Sequence, residues 1–190
     1  MAKQLIDLET HFAVYTAHHT HPVNSMAHSL FVWPIVFSIF MLLHLTPPII
    51  KFPVLEQLDL AFVLATVYCV TYMLLDRRAG FLASILCLFC LISSGSLVNR
   101  LGFPLSLKVA LALQLFCTTG PVIGHGAFEK QAPATGYLPH VFLMEPFFIF
   151  LEALHKLFNY EPYPCFYANV NKKIESNLKQ WQTTKLVKMS

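Results

Sequence analysis

The run LSLKVALALQLFCTTGPVI, Leu105–Ile123, carries one charge, Lys108, and opens into Gly124-His125-Gly126-Ala127-Phe128-Glu129-Lys130. In helical conformation such a run is about 28 Å long, close to the hydrocarbon depth of a bilayer. The polar break after it sets His125 and Glu129 four residues apart. A continuing helix would place both on one face, one turn apart. An imidazole and a carboxylate so placed can share a metal ion, or the acid can orient the ring.

Working outward, three more runs read as spans. Ser29–Leu45 contains Pro34 and ends at Thr46-Pro47-Pro48. Leu58–Leu75 is closed by Asp76-Arg77-Arg78, and Phe81–Val98 is opened by Gly80 and closed by Asn99-Arg100. Ile49–Glu56 reads as a connecting loop. The whole chain is 56% hydrophobic and 12% charged, with 17 Phe and a mean hydropathy of +0.58. That balance excludes an ordinary soluble domain. The fold class is all-α: a polytopic membrane helix bundle with about four transmembrane helices.

The fifth run, Tyr137–Phe158, is different, because it holds His140, Glu145, Pro146, Glu152 and His155. Charge at bilayer depth is costly. The reading is a helix pair broken at Pro146, lying in the interface or packed on the bundle, with a spanning fifth helix as the alternative. Residues 1–165 then form the membrane helix-bundle domain, and 166–190 a polar, lysine-rich tail. From Lys156 onward there are six Lys and two Glu, within a net charge of +3. Lysines so spaced beside an apolar body suit a membrane surface rather than nucleic acid. In the tail, Ile174, Leu178 and Trp181 fall at helical spacing, and Trp181 suits an interfacial anchor. The five cysteines are odd in number and mostly sit in apolar runs, so no disulfide framework is expected. No secretory signal is visible in the first 28 residues.

Orientation follows from Arg77-Arg78, which places that loop in the cytosol. The N-terminus is then cytosolic too. An even number of crossings brings His18–His28 and His125–Glu129 to the same face.

Five of the nine histidines lie between residues 11 and 28. Asn24 is placed to cap a helix starting at Ser25, with His28 in its first turn. His11, His44, His140 and His155 read as interfacial or structural. Clustered imidazoles with a carboxylate at a bundle mouth suit iron, zinc or manganese; histidines touching lipid headgroups are the alternative. Ser93-Ser94-Gly95-Ser96 has no nearby histidine, and no phosphate-cradling loop is present.

Several stretches together resemble a known family. They are Asp7-Leu8-Glu9 with Phe12 and Tyr15, His19, Pro22-x-Asn24-x-x-x-His28-Ser29-Leu30-Phe31-Val32, and Gly124-His125-Gly126-x-Phe128-Glu129-Lys130-x-x-Pro133-Ala134. Pro146-Phe147-Phe148 with Glu152, and Tyr160-Glu161-Pro162-Tyr163-Pro164, extend the match. The family is the endoplasmic-reticulum membrane dioxygenases of fungi and plants that carry out α-oxidation of 2-hydroxy fatty acids. The resemblance implies an Fe(2+)-dependent enzyme of the endoplasmic reticulum membrane. It would shorten a 2-hydroxy long-chain fatty acid by one carbon with O2, in phytosphingosine breakdown. It implies His19, His28 and His125 as metal ligands and Glu129 and Glu152 as catalytic acids, with His18 and His21 ranked below them. Pro121 stands where a Gln is common, and Thr135–His140 departs from the usual continuation. A non-enzymatic lipid-binding or scaffold protein of the same fold, and a zinc-dependent lipid hydrolase, remain as alternatives.

Overall fold

A computed structural model describes residues 7–19, 21–48, 59–129 and 138–176, with the backbone alone at 18, 128, 129 and 138–141. Every regular element among them is helical. The helices are α1 (Leu8–His18), α2 (Pro22–His44), α3 (Leu60–Leu75), α4 (Arg77–Ile123), α5 (Leu138–Phe158) and α6, residues 166–176. A π-helical turn, Gly124–Glu129, continues α4. The expected loop 49–56, and Leu178 and Trp181, lie outside the described residues.

Capping chemistry sets the starts. Asp7 accepts from the Thr10 amide, Asp59 from Phe62 and Asp76 from Ala79. Each meets one of the unpaired amides of a first helical turn. At α2 the expectation of an Asn24 cap fails. The helix begins three residues earlier with Pro22, and the ring nitrogen of His21 accepts from the Val23 amide. Proline suits that first position because its missing N–H would be unpaired there anyway. Asn24 becomes an interior, fully buried residue, and His28 moves to the second turn.

α4 is bent back on itself. Gly102 takes φ 72° and ψ 168°, a conformation open to glycine and closed to most residues. Across the bend Ser106 Oγ donates to Val98 O at 3.3 Å. In a straight helix, residues eight apart would be about 12 Å apart along the axis. α2, α3 and the two arms of α4 therefore make four antiparallel rods, one for each apolar run. At one end of α2, His44 meets Asp59 and Leu91; at the other, Asn24 meets Gly124. Two helices, Pro22–His44 and Arg77–Ala127, are long and apolar enough to cross a membrane, and Leu60–Leu75 is a shorter apolar helix.

α5 corrects the expected break. It runs continuously through Pro146. A proline inside a helix leaves the carbonyl four residues earlier without its amide partner. Here that carbonyl, of Phe142, accepts from Tyr68 Oη at 3.1 Å. Phe147, Phe148, Ile149 and Leu151 are buried around the proline and hold the rod against α3. α5 is thus packed on the bundle. α1 lies on it through Phe12 and Tyr15, each 5.5 Å from the Phe148 ring. α6 closes over α1, burying Phe166 and Val170 in the same core.

Candidate metal centre

Three segments far apart in sequence meet at the end of the bundle where α2 begins. His19 is the residue that closes α1. His28 lies one helical turn beyond Asn24 on the inner face of α2. His125 sits in the π turn. One ligand nitrogen from each ring lies within 4.8 Å of the others.

Each ring has its other nitrogen engaged. His19 Nδ1 is 2.7 Å from the carbonyl of Tyr15, on whose ring it stacks at 4.3 Å. A carbonyl can only accept, so Nδ1 carries the proton and Nε2 offers a lone pair. That Nε2 is buried and has no hydrogen-bond partner among the described residues; Glu145 Oε1 is 3.9 Å away. Burial first, and then the neighbouring His28 ring, pushes the His19 imidazole down to about 4, so it is neutral at physiological pH. His28 Nδ1 pairs closely with Glu145 Oε1. Its Nε2 faces His125 Nε2 at 3.1 Å. His125 Nδ1 faces Asn24 Nδ2 at 3.4 Å.

The π turn makes the third position possible. A Cβ on Gly124 would lie 2.3 Å from Asn24 Oδ1, so only glycine lets α2 and the turn approach this closely. The stretch that holds His125 and Glu129 is a π turn rather than a regular α-helix. Such turns recur at functional sites. The Glu129 side chain lies outside the described residues, as do those of His18 and His140.

Glu152 stands beside the cluster rather than in it. It accepts from Ser25 Oγ at 3.0 Å and Tyr15 Oη at 3.3 Å, and pairs with Lys156 Nζ at 2.6 Å. It reaches the histidines through Tyr15. His21 caps α2. His44 sits at the far end, its ring nitrogens on Asp59 and the Leu91 carbonyl. His155 holds the Tyr160 carbonyl.

The three inward nitrogens fit a divalent ion of the kind that takes neutral imidazole. The buried, unpartnered Nε2 of His19 is a lone pair pointed at that space. A carboxylate behind a ligating histidine is the usual way such a ring is aimed.

A family profile described as "2-hydroxy-palmitic acid dioxygenase Mpo1-like" matches residues 5–157. The chain belongs to the Mpo1-like family. Among the curated proteins it is similar to 2-hydroxy-palmitic acid dioxygenase MPO1 of Saccharomyces cerevisiae (strain ATCC 204508 / S288c). The two are 32% identical over 158 residues, 83% of this chain and 85% of the yeast protein. No solved structure matches it. The matched span holds all three histidines and Glu145.

Within this Mpo1-like chain, sequence reasoning missed two residues of the centre. From the sequence alone Glu145 reads only as a costly charge in an apolar run. An acid at such depth is by default a functional candidate, and that signal was available. Asn24 reads as a cap, although its spacing of four from His28 puts the two on one face.

Proposed function

We propose that the protein is an Fe(II)-dependent dioxygenase of the endoplasmic reticulum membrane. It shortens 2-hydroxy long-chain fatty acids by one carbon, with its histidine centre facing the cytosol. The observation that carries this reading is the convergence of His19, His28 and His125, one with a buried unpartnered nitrogen, in a chain of this family. The reaction balances without a further reductant. A 2-hydroxy acid and O2 give the acid one carbon shorter, carbon dioxide and water. The C1–C2 bond breaks, and the substrate supplies all four electrons that reduce O2.

His19, His28 and His125 would hold the ion through Nε2, and Fe(II) would supply the one-electron chemistry that lets O2 react with a closed-shell substrate. Three imidazoles leave positions open for a chelating carboxylate and hydroxyl. Glu145 orients His28 and supplies a negative charge that favours a bound cation. Glu152 fixes Tyr15, whose carbonyl and ring fix His19. Glu129 is assigned as an acid at the rim of the same turn.

The test is an anaerobic Fe(II) titration of the purified full chain, followed by O2 and 2-hydroxypalmitate, with product length read by mass spectrometry. Stoichiometric iron and a fifteen-carbon acid are expected. His28→Ala and His125→Ala should each abolish metal retention and turnover. Turnover by metal-free protein overturns the reading, and oxygen-independent turnover with zinc would point to a hydrolase.

A further inference from the structure

We propose that the end of the bundle away from the histidines carries a second site, which takes the phosphate of a glycerophospholipid on Arg100 and the start of its acyl chain against Phe62 and Ile92. The inference rests on the apolar rods lying in a bilayer and is independent of the metal centre.

A cavity of about 820 Å³ opens where α2 ends, α3 begins and the first arm of α4 approaches its bend. Its wall has two characters. Ser96, Asn99 and Arg100 give it polar groups, and Phe62, Ile92 and Val98 give it apolar ones.

The charged groups of the wall are not equally available. Both oxygens of Asp59 are engaged: Oδ1 accepts from the Phe62 amide at 2.9 Å, and Oδ2 pairs with His44. The second ring nitrogen of His44 is 3.1 Å from the Leu91 carbonyl. Acid and imidazole are therefore committed to the fold. The Arg100 guanidinium makes no hydrogen bond or ion pair among the described residues, and neither do the side chains of Ser96 and Asn99. One uncommitted cation with two neutral polar neighbours complements an anion. The planar fork of a guanidinium matches two oxygens of one phosphate.

Position selects a lipid rather than a free ion. His44 is the last residue of α2, and Gly102 turns α4 back two residues after Arg100. Apolar rods end at this level, so the cavity lies at headgroup depth in the leaflet opposite the histidines. Phe62 is 48% exposed and Ile92 71%. They sit on neighbouring helices and belong both to the cavity wall and to the outer apolar surface, which makes a path from the polar wall into hydrocarbon. A free phosphate would leave that path uncovered, whereas an acyl chain covers it.

The experiment uses the full chain in a non-ionic detergent, with dioleoylphosphatidylglycerol as the probe and native mass spectrometry as the readout. One lipid is expected to stay on each chain. Arg100→Gln should weaken its binding by about 10- to 100-fold, the effect of losing hydrogen bonds to a charged partner. Arg100→Lys should fall between the two, because it keeps the charge and loses the fork. Ser96→Phe fills the cavity, leaves Arg100 in place and should weaken binding as well. Ser96 and Arg100 are both exposed, so these replacements leave the core intact. Inorganic phosphate and dioleoylglycerol, each added as competitor at the concentration of the probe, should leave the lipid bound.

Displacement by inorganic phosphate would show an anion site with no acyl path. Displacement by dioleoylglycerol would show an apolar groove with no phosphate contact. Either overturns the proposal, as does a wild type that retains no lipid or an Arg100→Gln variant that retains it equally well. Unchanged binding in Ser96→Phe would put the lipid outside the cavity and overturn the site. Iron uptake measured on the same samples reports on the other end of the bundle, so its failure is recognised separately.

Discussion

Tyr68 Oη donates to the carbonyl of Phe142 at 3.1 Å, four residues before Pro146. This contact lets an apolar helix keep its axis through a proline and carry Glu145 to His28. Losing it leaves a carbonyl without a partner, which costs about 1–3 kcal/mol where the group is buried. Tyr68→Phe should therefore lower the unfolding midpoint. Pro146→Ala supplies an amide for the same carbonyl, so Tyr68→Phe should cost less in that background. A double-mutant cycle in detergent measures the coupling. Additive effects would show that Tyr68 does not compensate for the proline.

Glu145 and Glu152 lie two turns apart on α5 and should differ in consequence. Glu145 holds the ring of His28, whereas Glu152 acts through Ser25 and Tyr15. Glu145→Gln should weaken Fe(II) binding by about 10- to 100-fold. Glu152→Gln should weaken it less, because two contacts separate that acid from the ion. Competition with a calibrated chelator gives both affinities. Equal losses would place Glu152 at the metal.

Gly102 and Gly124 separate fold from site. The backbone of Gly102 is one that side chains strain, yet no atom of the described residues lies within 4 Å of a Cβ there. Gly102→Ala should cost about 1–3 kcal/mol of stability through backbone strain alone. It should leave metal affinity intact, since the bend is at the end of the bundle away from His125. Denaturant titration and metal titration of the same sample test the two halves. Lost metal affinity in Gly102→Ala would mean that the bend sets the register of the π turn.

The four rods were legible because length and lack of charge, read along one segment at a time, are enough to define an apolar helix. The meeting of His19, His28 and His125 followed from parity: an even number of rods returns the chain to its starting end. What was not legible depends on partners far away in sequence. Proline rules break α5 at Pro146, whereas Tyr68, on another helix, meets the freed carbonyl and burial holds the rod in place. Burial cost flags Glu145 but does not name His28. Capping preference favours Asn24, yet His21 and Pro22 provide a start three residues sooner and turn Asn24 inward. The wider turn at Gly124–Glu129 packs closely against Asn24, a partner that no local pattern announces.

The docking of α6 on α1 should respond to pH through a cluster outside the bundle. Tyr163 donates to Glu9 at 2.6 Å, Asn169 to the same oxygen at 3.1 Å, and Lys173 reaches Asp7 at 3.1 Å and Glu9 at 3.2 Å. The hydrogen bond from Tyr163 holds the Glu9 carboxyl below its ordinary value of 4.5. At Asp7 burial pulls upward, but hydrogen bonds from Thr10 and Lys173 outweigh it and the net shift is downward. Lys173 is raised: burial opposes this, and the two acids overcome it. A carboxylate depressed in the folded state stabilises above its unfolded pKa, and that contribution is lost as pH falls through the folded value. The raised lysine stabilises up to its unfolded pKa and loses its contribution as pH rises beyond it. Lys173→Met should therefore lower the unfolding midpoint most between about pH 5 and 10. The gap from wild type should close below about pH 4. A gap that stays constant from pH 7 to 3 would show that Lys173 holds the helix by packing its stem rather than by charge.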